Sequence, residues 1–583
     1  MNLLKRVYRI LTPRQHKLIV ILCGMMLVGA AFETIGTSLI LPLITAATAP
    51  EAIEGNKYMR WFKDLIGLEN NNDFLIACVI LLIIVYVVKN VYLFIMYYAQ
   101  YRFVYNGQYN TSRSLFKEYV NRPYEYYLNS STPVAIRNIV SDVNGSYQLV
   151  LTILQLATEL VVFACLLVLS IVVNPIMTLL MALFILVVLL INKRFFGPLL
   201  RSYGNQVNQN NAMVTKSLLQ AMDGMKETKV LHKERYFVEQ YETHAGILNA
   251  IQMKQSTLSN IPRLSVETVV MVGILTMLGV FLGRNSQYGI GSMIAQVGLL
   301  AMVAVRMMPS ANRVITAINN LEYYEPSLKA VEDLIVHAHE INTDLLYVKD
   351  SPMEIVTPLE FRKEVKLESI SYRYPMTDVD IFHDASLTVP IGKSIGIIGP
   401  SGAGKSTAVD ILLGLLRPQS GKITVDGVDI QENLPGWYAD VGYVPQMMFM
   451  LDDTIRNNVA YGMDRDKISE ERVWECLKEA QMDEFVRSLP HGLDTGIGER
   501  GVRLSGGQRQ RIGIARALYN DPEIMIFDEA TSALDNDTET AIMEAIERLH
   551  GRKTLIIVAH RLTTIEKCDA VYRVEDRKFV RER

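Results

Sequence analysis

Residues Gly399 to Thr407 read Gly-Pro-Ser-Gly-Ala-Gly-Lys-Ser-Thr and directly follow the apolar run Ser394 to Ile398. A strand that feeds such a loop and then a helix turns successive backbone N–H groups toward an anion, with the positive end of the helix behind them. Gly399, Gly402 and Gly404 let the chain wrap closely, and Ser401 lies within the same wrap. Lys405 would reach the β- and γ-phosphates, the Ser406 hydroxyl would coordinate Mg²⁺, and Thr407 follows it into the helix. The chemistry is that of a nucleotide-binding P-loop holding ATP and Mg²⁺.

Two carboxylates extend that chemistry. The run Glu523-Ile524-Met525-Ile526-Phe527-Asp528-Glu529 is a buried strand ending in acids, where Asp528 would help hold the metal and Glu529 would orient or deprotonate an attacking water. His560 closes the apolar run Thr554 to Ala559 and would contact the γ-phosphate. Tyr374, upstream of the loop, could stack on adenine. A second glycine-rich cradle, Leu504-Ser505-Gly506-Gly507-Gln508, leads into a helix over Arg509 to Tyr519 whose N-terminal dipole suits an anion. One domain thus holds two half-sites.

These groups need a scaffold, and 583 residues are too many for one core. The expected division is a transmembrane domain over 1–320, a linker over 321–358 and a nucleotide-binding domain over 359–583. The last of these is β-rich at first and then alternates strand and helix, as a soluble α/β domain does. The first contains apolar stretches of bilayer-spanning length. A net charge of -3 says little about partners, because a near-balanced total can hide local basic patches. Nucleic acid is not indicated. The five cysteines are scattered without CxxC spacing, which argues against a disulfide framework or a zinc site.

Six spans are expected near Leu18 to Ala46, Phe74 to Phe103, Tyr147 to Val173, Ile176 to Asn192, Ile261 to Leu282 and Ile290 to Ile318. Met1 to Lys17 carries five cations and no acid, with Leu3, Leu4, Val7, Ile10 and Leu11 at helical spacing. A signal peptide is the rival reading. The following apolar run outlasts a typical signal core, which favours a helix on the cytoplasmic face and a retained span. An even span count then places both termini in the cytoplasm of a multi-pass inner-membrane protein. Short transverse helices are expected around Tyr124 to Thr132 and Met225 to Glu234, where the soluble domain could push, although they could equally be plain helix extensions. On the opposite side, Tyr58 to Ile66 fits an amphipathic helix in the outer interface, either a contact for a lipid tail or an aromatic anchor.

Charges inside spans are costly and usually face a cavity or a partner. Lys89, Arg263 and Arg306 could line a central cavity and hold an anionic headgroup. Internal pairing is the competing explanation, with Arg263 and Glu267 at i,i+4 and Arg306 within reach of Glu33 or Glu159.

Tyr374, the P-loop, Gln446 in Val444-Pro445-Gln446, Leu504 to Gln508, Asp528-Glu529, Ser532-Ala533-Leu534-Asp535 and His560 occur in an order and spacing that resembles ATP-binding cassette transporter ATPases. Six spans ahead of one cassette resemble the exporter-type half-transporter, a resemblance covering nearly the whole chain. It implies an α-helical six-span transmembrane domain fused to a cytoplasmic α/β P-loop ATPase. It also implies two cassettes meeting head to tail, each ATP lying between one P-loop and the other's LSGGQ segment. The simplest assembly is a homodimer with two equivalent sites, and a heterodimer stays open. Gln446 would join the metal and γ-phosphate to the membrane domain, and Gly498-Glu499-Arg500-Gly501 would touch the cytoplasmic helices.

Within this group the membrane half is similar to flippases of lipid-linked oligosaccharides, through Phe32-Glu33-Thr34, the outer amphipathic helix and the cations Lys89, Arg263 and Arg306. That implies an amphiphilic polyprenyl-diphosphate glycan moved from the inner to the outer side of the bilayer. A multidrug or lipid exporter is the alternative, and an ATP-gated channel or regulator the reading from another class. A peptide exporter is disfavoured because no peptidase domain precedes the spans, and a soluble cassette acting on DNA or ribosomes is incompatible with them.

Overall fold

The computed structural model describes residues 3–38, 71–173, 175–283, 290–340, 359–375, 377–529, 536–559 and 565–583. The expected outer helix Tyr58 to Ile66, the segment Ser532 to Asp535, His560 and the Arg306 side chain lie outside the described residues. The chain divides into two compact units, one of residues 1–122 and 129–350, the other of residues 123–128 and 351–583.

The first unit is helical. In chain order its elements are α1 (Leu3–Ile10), α2 (Pro13–Ser38), α3 (Asn71–Asn121), α4 (Tyr124–Asn129, most of which belongs to the second unit), α5 (Thr132–Arg137), α6 (Val143–Val173), α7 (Pro175–Ile191), α8 (Gly197–Asp223), α9 (Met225–Val230), α10 (Glu234–Gly283) and α11 (Ile290–Glu340). One-turn π segments at Asn138–Asp142 and Asn192–Phe196 join α5 to α6 and α7 to α8. Long helices are the form in which an apolar chain satisfies its backbone without water. Three of the described helical stretches, Pro13–Ile35, Asn72–Asn121 and Thr132–Val168, are long and apolar enough to cross a membrane. The other three expected spans fall within α7, α10 and α11.

The amphipathic α1 turns Val7 and Ile10 inward, where they join an apolar cluster with Leu22, Met96, Tyr147 and Leu328. Its Arg6 bonds Glu332 at 2.6 Å and also meets Glu325, so α1 is tied to the polar end of α11. Deeper in the bundle one guanidinium meets two carboxylates: Arg313 lies 2.8 Å from Glu159 and 3.7 Å from Glu33. The expectation for these acids named Arg306, whose side chain lies outside the described residues; Arg313, two turns further along the same helix, reaches both.

The second unit contains two sheets. β1 (Glu364–Tyr372), β2 (Phe382–Pro390), β4 (Ser420–Val425) and β5 (Val428–Asp429) form an antiparallel sheet in the order β2-β1-β4-β5. The other sheet runs β10-β9-β3-β8-β7-β6, with β3 (Ser394–Ile398), β6 (Val441–Val444), β7 (Ile524–Asp528), β8 (Thr554–Val558), β9 (Ala570–Glu575) and β10 (Lys578–Arg581). All pairings in it are parallel except that of β9 with β10. β3, β7 and β8 are buried along their whole length, which accounts for their continuous apolar runs. Residues 123–128, drawn from the helical half of the sequence, belong to this unit, where the Glu125 carboxylate accepts the Arg417 N–H at 3.0 Å.

Candidate functional site

In the order β3-β8-β7-β6 the strands are parallel neighbours, so their C-terminal ends share one edge. Ligands of open parallel sheets bind at that edge. The loop after β3 carries Gly399 to Gly404, β7 ends in Asp528 and Glu529, and the loop after β6 carries Gln446. Residues more than 120 positions apart in sequence are thereby brought together by strand order.

The P-loop's shape is set by its glycines. Gly404 has φ 102°, and a Cβ there would come within 2.6 Å of the Ile381 side chain, so only glycine fits against that wall. Gly402, at φ 80°, faces open space, which leaves its surroundings clear for a ligand. The helix Lys405–Leu412 begins directly after Gly404. Lys405 is buried and its ammonium donates to the Gly399 and Pro400 carbonyls at 3.1 and 3.2 Å. It lies 4.0 Å from Glu529. A cavity of about 930 Å³ opens beside this loop, lined by Gly399, Gly402, Ile381 and Arg573 among others.

Asp528 is buried, and its Oδ1 has no hydrogen-bond partner. Burial pushes its carboxyl up to about 6, the neighbouring Glu529 adds to that rise, and Lys405 opposes it. Asp410, on the P-loop helix, is likewise pushed up to about 6 by burial and then by Asp528. Glu529 stands at φ 48°, held by its N–H donating to the Val558 carbonyl at 2.9 Å. Its Oε2 accepts from Gln446 Nε2 at 2.7 Å.

An orphaned, desolvated carboxylate oxygen beside a lysine-bearing phosphate loop fits a divalent cation. Ser406, Gln446 and Asp528 are the oxygen donors expected for Mg²⁺, and a small protein donor set leaves positions for phosphate oxygens and water.

Tyr374 reaches the same helix, its hydroxyl 3.1 Å from Thr407 Oγ1, while Tyr372 packs edge-on against its ring at 5.3 Å. Ser505 and Gln508 form a reciprocal cap on the helix Gly506–Leu518: Ser505 Oγ accepts the Gln508 N–H at 3.2 Å, and Gln508 Oε1 accepts the Ser505 N–H at 2.9 Å. The sequence reading named this segment as an anion cradle and missed the cap, which S-x-x-Q spells out. Gly507 is buried.

Two other contributors escaped the sequence reading. Arg516 bridges the loop after Gln446, donating to the Phe449 carbonyl at 2.7 Å and the Asn458 carbonyl at 2.8 Å, with its guanidinium over the Tyr461 ring. An arginine on the apolar face that holds Ile512 and Ala515 was the available sign. Asp410, five residues beyond Lys405, was the other.

In the helical unit, Lys89 is buried with its ammonium 5.1 Å from the centre of the Tyr86 ring. Arg263 is exposed, and no Arg263–Glu267 ion pair occurs among the described residues.

Two family models match the chain. Residues 382–532 match the ABC transporter model, and residues 56–307 match the ABC transporter transmembrane region. The chain belongs to the ABC transporters. It is 32% identical over 386 residues to an ATP-dependent lipid A-core flippase of Methylobacillus flagellatus, covering 66% of this chain and 63% of that one. A lipid A-core flippase of Desulfotalea psychrophila is also 32% identical, over 66% of this chain and 65% of its own. These alignments span a little under two thirds of the flippases' lengths. Over 214 residues it is 42% identical to mouse ATP-binding cassette sub-family B member 10, mitochondrial, covering 36% of this chain and 30% of that protein. The fold of this ABC transporter matches a bacterial Atm1-family ABC exporter solved with ATP bound, at TM-score 0.74 and 21% identity over 97% of this chain and 94% of that chain.

Proposed function

We propose that this ABC transporter hydrolyses ATP at the edge of its parallel sheet and uses the cycle to move an amphiphile across the membrane. The observation that carries the proposal is the convergence of Lys405, Asp528, Glu529 and Gln446 at one sheet edge, in a chain that also has helices of membrane-crossing length. When bound, Mg²⁺–ATP supplies the scissile γ-phosphoryl group. Lys405 holds phosphate charge, with Ser406, Gln446 and Asp528 on the metal. Glu529 takes the proton of the attacking water at its carboxylate. Tyr374 supplies a ring for the base and His560 a contact to the γ-phosphate. Two copies arranged head to tail would bring each Ser505 to Gln508 segment to the other's P-loop, with the Gly506 and Gly507 N–H groups at the helix start, outside the reciprocal cap, facing phosphate oxygens.

For cargo we propose a lipid-linked oligosaccharide carried on a polyprenyl diphosphate, bound by Lys89, Arg263 and Arg306. Cations placed along membrane helices suit a diphosphate, and a buried lysine is retained there only at a cost. The flippases it is similar to are named for lipid A-core, which favours a second reading in which the amphiphile is a lipid of that kind. ATP-dependent translocation assays in proteoliposomes separate the two. Movement of polyprenyl-diphosphate glycan supports the first, movement of lipid A-type lipid alone supports the second, and ATP consumption stimulated only by hydrophobic drugs overturns both.

A further inference from the structure

Within the helical unit a cavity of about 540 Å³ opens between α2 and α3, lined on α3 from Ala99 onward, beyond Lys89 on the same helix, and lined by neither Lys89 nor Arg263. The two helices run antiparallel there: Tyr92 Oη donates to the Met25 carbonyl at 2.9 Å, while Gly107 lies against the Gln15 side chain. Moving along α2 from Arg14 to Met25, a rise of about 16 Å, the lining changes from Arg14 and Gln15 to Leu18, Leu22 and Met25. On α3 the lining runs from Leu115, Thr111, Asn110 and Asn106 to Phe103, Arg102 and Ala99. The α2 wall is therefore polar at one end and apolar at the other, while on α3 Arg102 lies among the apolar residues Ala99 and Phe103.

The polar end is built and positive. Thr111 Oγ1 and Tyr147 Oη lie 2.8 Å apart, and Gln15 Nε2 reaches the same Tyr147 hydroxyl at 3.5 Å. A Cβ at position 107 would strike the Tyr147 ring at 2.4 Å, so a glycine is required for that approach. Arg14 and Arg102 line the cavity, no acidic residue does, and neither guanidinium forms an ion pair among the described residues. Tyr98, Tyr101, Tyr105 and Tyr109 recur at helical spacing on α3 and are exposed. Tyrosines are enriched where helices cross from lipid to water, and these four lie along the same stretch of α3 that lines the cavity.

We propose that this cavity binds an anionic phospholipid of the bilayer, with its phosphate at Arg14 and Arg102 and one acyl chain along Leu18, Leu22 and Phe103. Guanidinium forks match phosphate oxygens, and an apolar wall of this length accommodates a chain segment that leaves the bilayer sideways. The site is for a resident lipid and is distinct from the proposed cargo site; it rests on membrane insertion and on neither cargo reading.

The test uses the full-length chain in nanodiscs of phosphatidylcholine with or without phosphatidylglycerol, reading lipids retained after detergent extraction by native mass spectrometry. Phosphatidylglycerol is expected to be retained in preference to phosphatidylcholine. Arg14→Gln with Arg102→Gln should lower its retention about tenfold. Ala99→Phe, which keeps both cations and fills the apolar end, should lower it as well. Lys226→Gln with Lys254→Gln, an equal loss of charge elsewhere on the helical unit, should leave it within twofold. Equal retention of the two lipids, unchanged retention in both cavity variants, or equal loss in the control pair overturns the proposal. One-for-one displacement of phosphatidylglycerol by a polyprenyl diphosphate overturns it too, by making the cavity part of the cargo path.

Discussion

Gln446 Nε2 donates to Glu529 Oε2 at 2.7 Å, a bond that ties the loop after β6 to the end of β7. The proposed base is thus held by the residue proposed to sense the metal. Glu529 also sits at φ 48°, a conformation that side-chain-bearing residues seldom hold without outside support. Nucleotide entering the site would draw Gln446 toward the metal and release that carboxylate for water.

Glu529→Gln keeps the side chain's size and removes its basicity. Steady ATP hydrolysis should fall by roughly a hundredfold or more, while ATP affinity stays within a few-fold of the parent and ATP-bound dimers persist. Turnover close to the parent's, measured by phosphate release from purified protein, would take the base role away from Glu529.

Asp410 adds a pH dependence to stability. Its carboxyl is pushed up to about 6 from an ordinary 3.8, so the folded chain keeps a proton that the unfolded chain gives up between those values. Stability from this group is therefore greatest below about pH 4 and is lost as pH rises through 6. Asp410→Asn should raise the unfolding temperature at pH 7.5 by a few degrees, corresponding to about 1 kcal/mol after allowance for its partial exposure. At pH 4 the variant and parent should unfold together. A gain of equal size at both pH values would mean that burial of the carboxylate is not the cause.

Asp528 predicts a different effect of acid. Its carboxyl also titrates near 6, and a proton there competes with the cation it is proposed to hold. The extra nucleotide affinity conferred by Mg²⁺ should decline about tenfold per pH unit below 6 and should vanish with a chelator at any pH. In Asp528→Asn that metal-dependent increment should be small and flat with pH. Binding titrations with a fluorescent nucleotide, with and without Mg²⁺, read it directly.

Local pattern made most of the cassette legible. The P-loop, the acidic strand end and the LSGGQ segment are contiguous, so strand burial and glycine spacing announce them without a fold. What could not be read was which distant residues meet. Arg313 stands more than 150 residues from Glu159 and Glu33, and only packing of α2, α6 and α11 brings the three together. Arg516 was hidden for the same reason, since its partners Phe449 and Asn458 are brought to it by tertiary folding. Ser505 shows the converse: its cap was written locally in S-x-x-Q, and attention to the phosphate chemistry of the same residues obscured it.

Arg313 holds Glu159 and Glu33 together, and Glu159 is the more buried of the two acids. Removing the guanidinium should leave that carboxylate without its counter-charge. Arg313→Gln should therefore lower the unfolding temperature of the purified chain by several degrees, an effect of about 1–3 kcal/mol. Glu159→Gln in the same chain should restore part of the loss, giving a coupling above about 0.5 kcal/mol in a double-mutant cycle. Strictly additive losses would show that the two side chains act independently.

Lys89, Arg263 and Arg306 are proposed to act on cargo, which sets them apart from Arg313. Lys89 is buried against Tyr86 whereas Arg263 is exposed, so the lysine has a structural cost to its removal that the arginine lacks. Arg263→Gln alone should reduce stimulation of ATPase activity by a polyprenyl-diphosphate lipid several-fold, with basal hydrolysis within twofold of the parent. Adding Lys89→Gln and Arg306→Gln should deepen the loss of stimulation more than the loss of basal rate, because a diphosphate spreads its charge over several contacts. The apparent lipid affinity should also become less sensitive to salt as cations are removed. If stimulation and basal rate fall in parallel across the series, the cations hold the helices together and the cargo's phosphates are bound elsewhere.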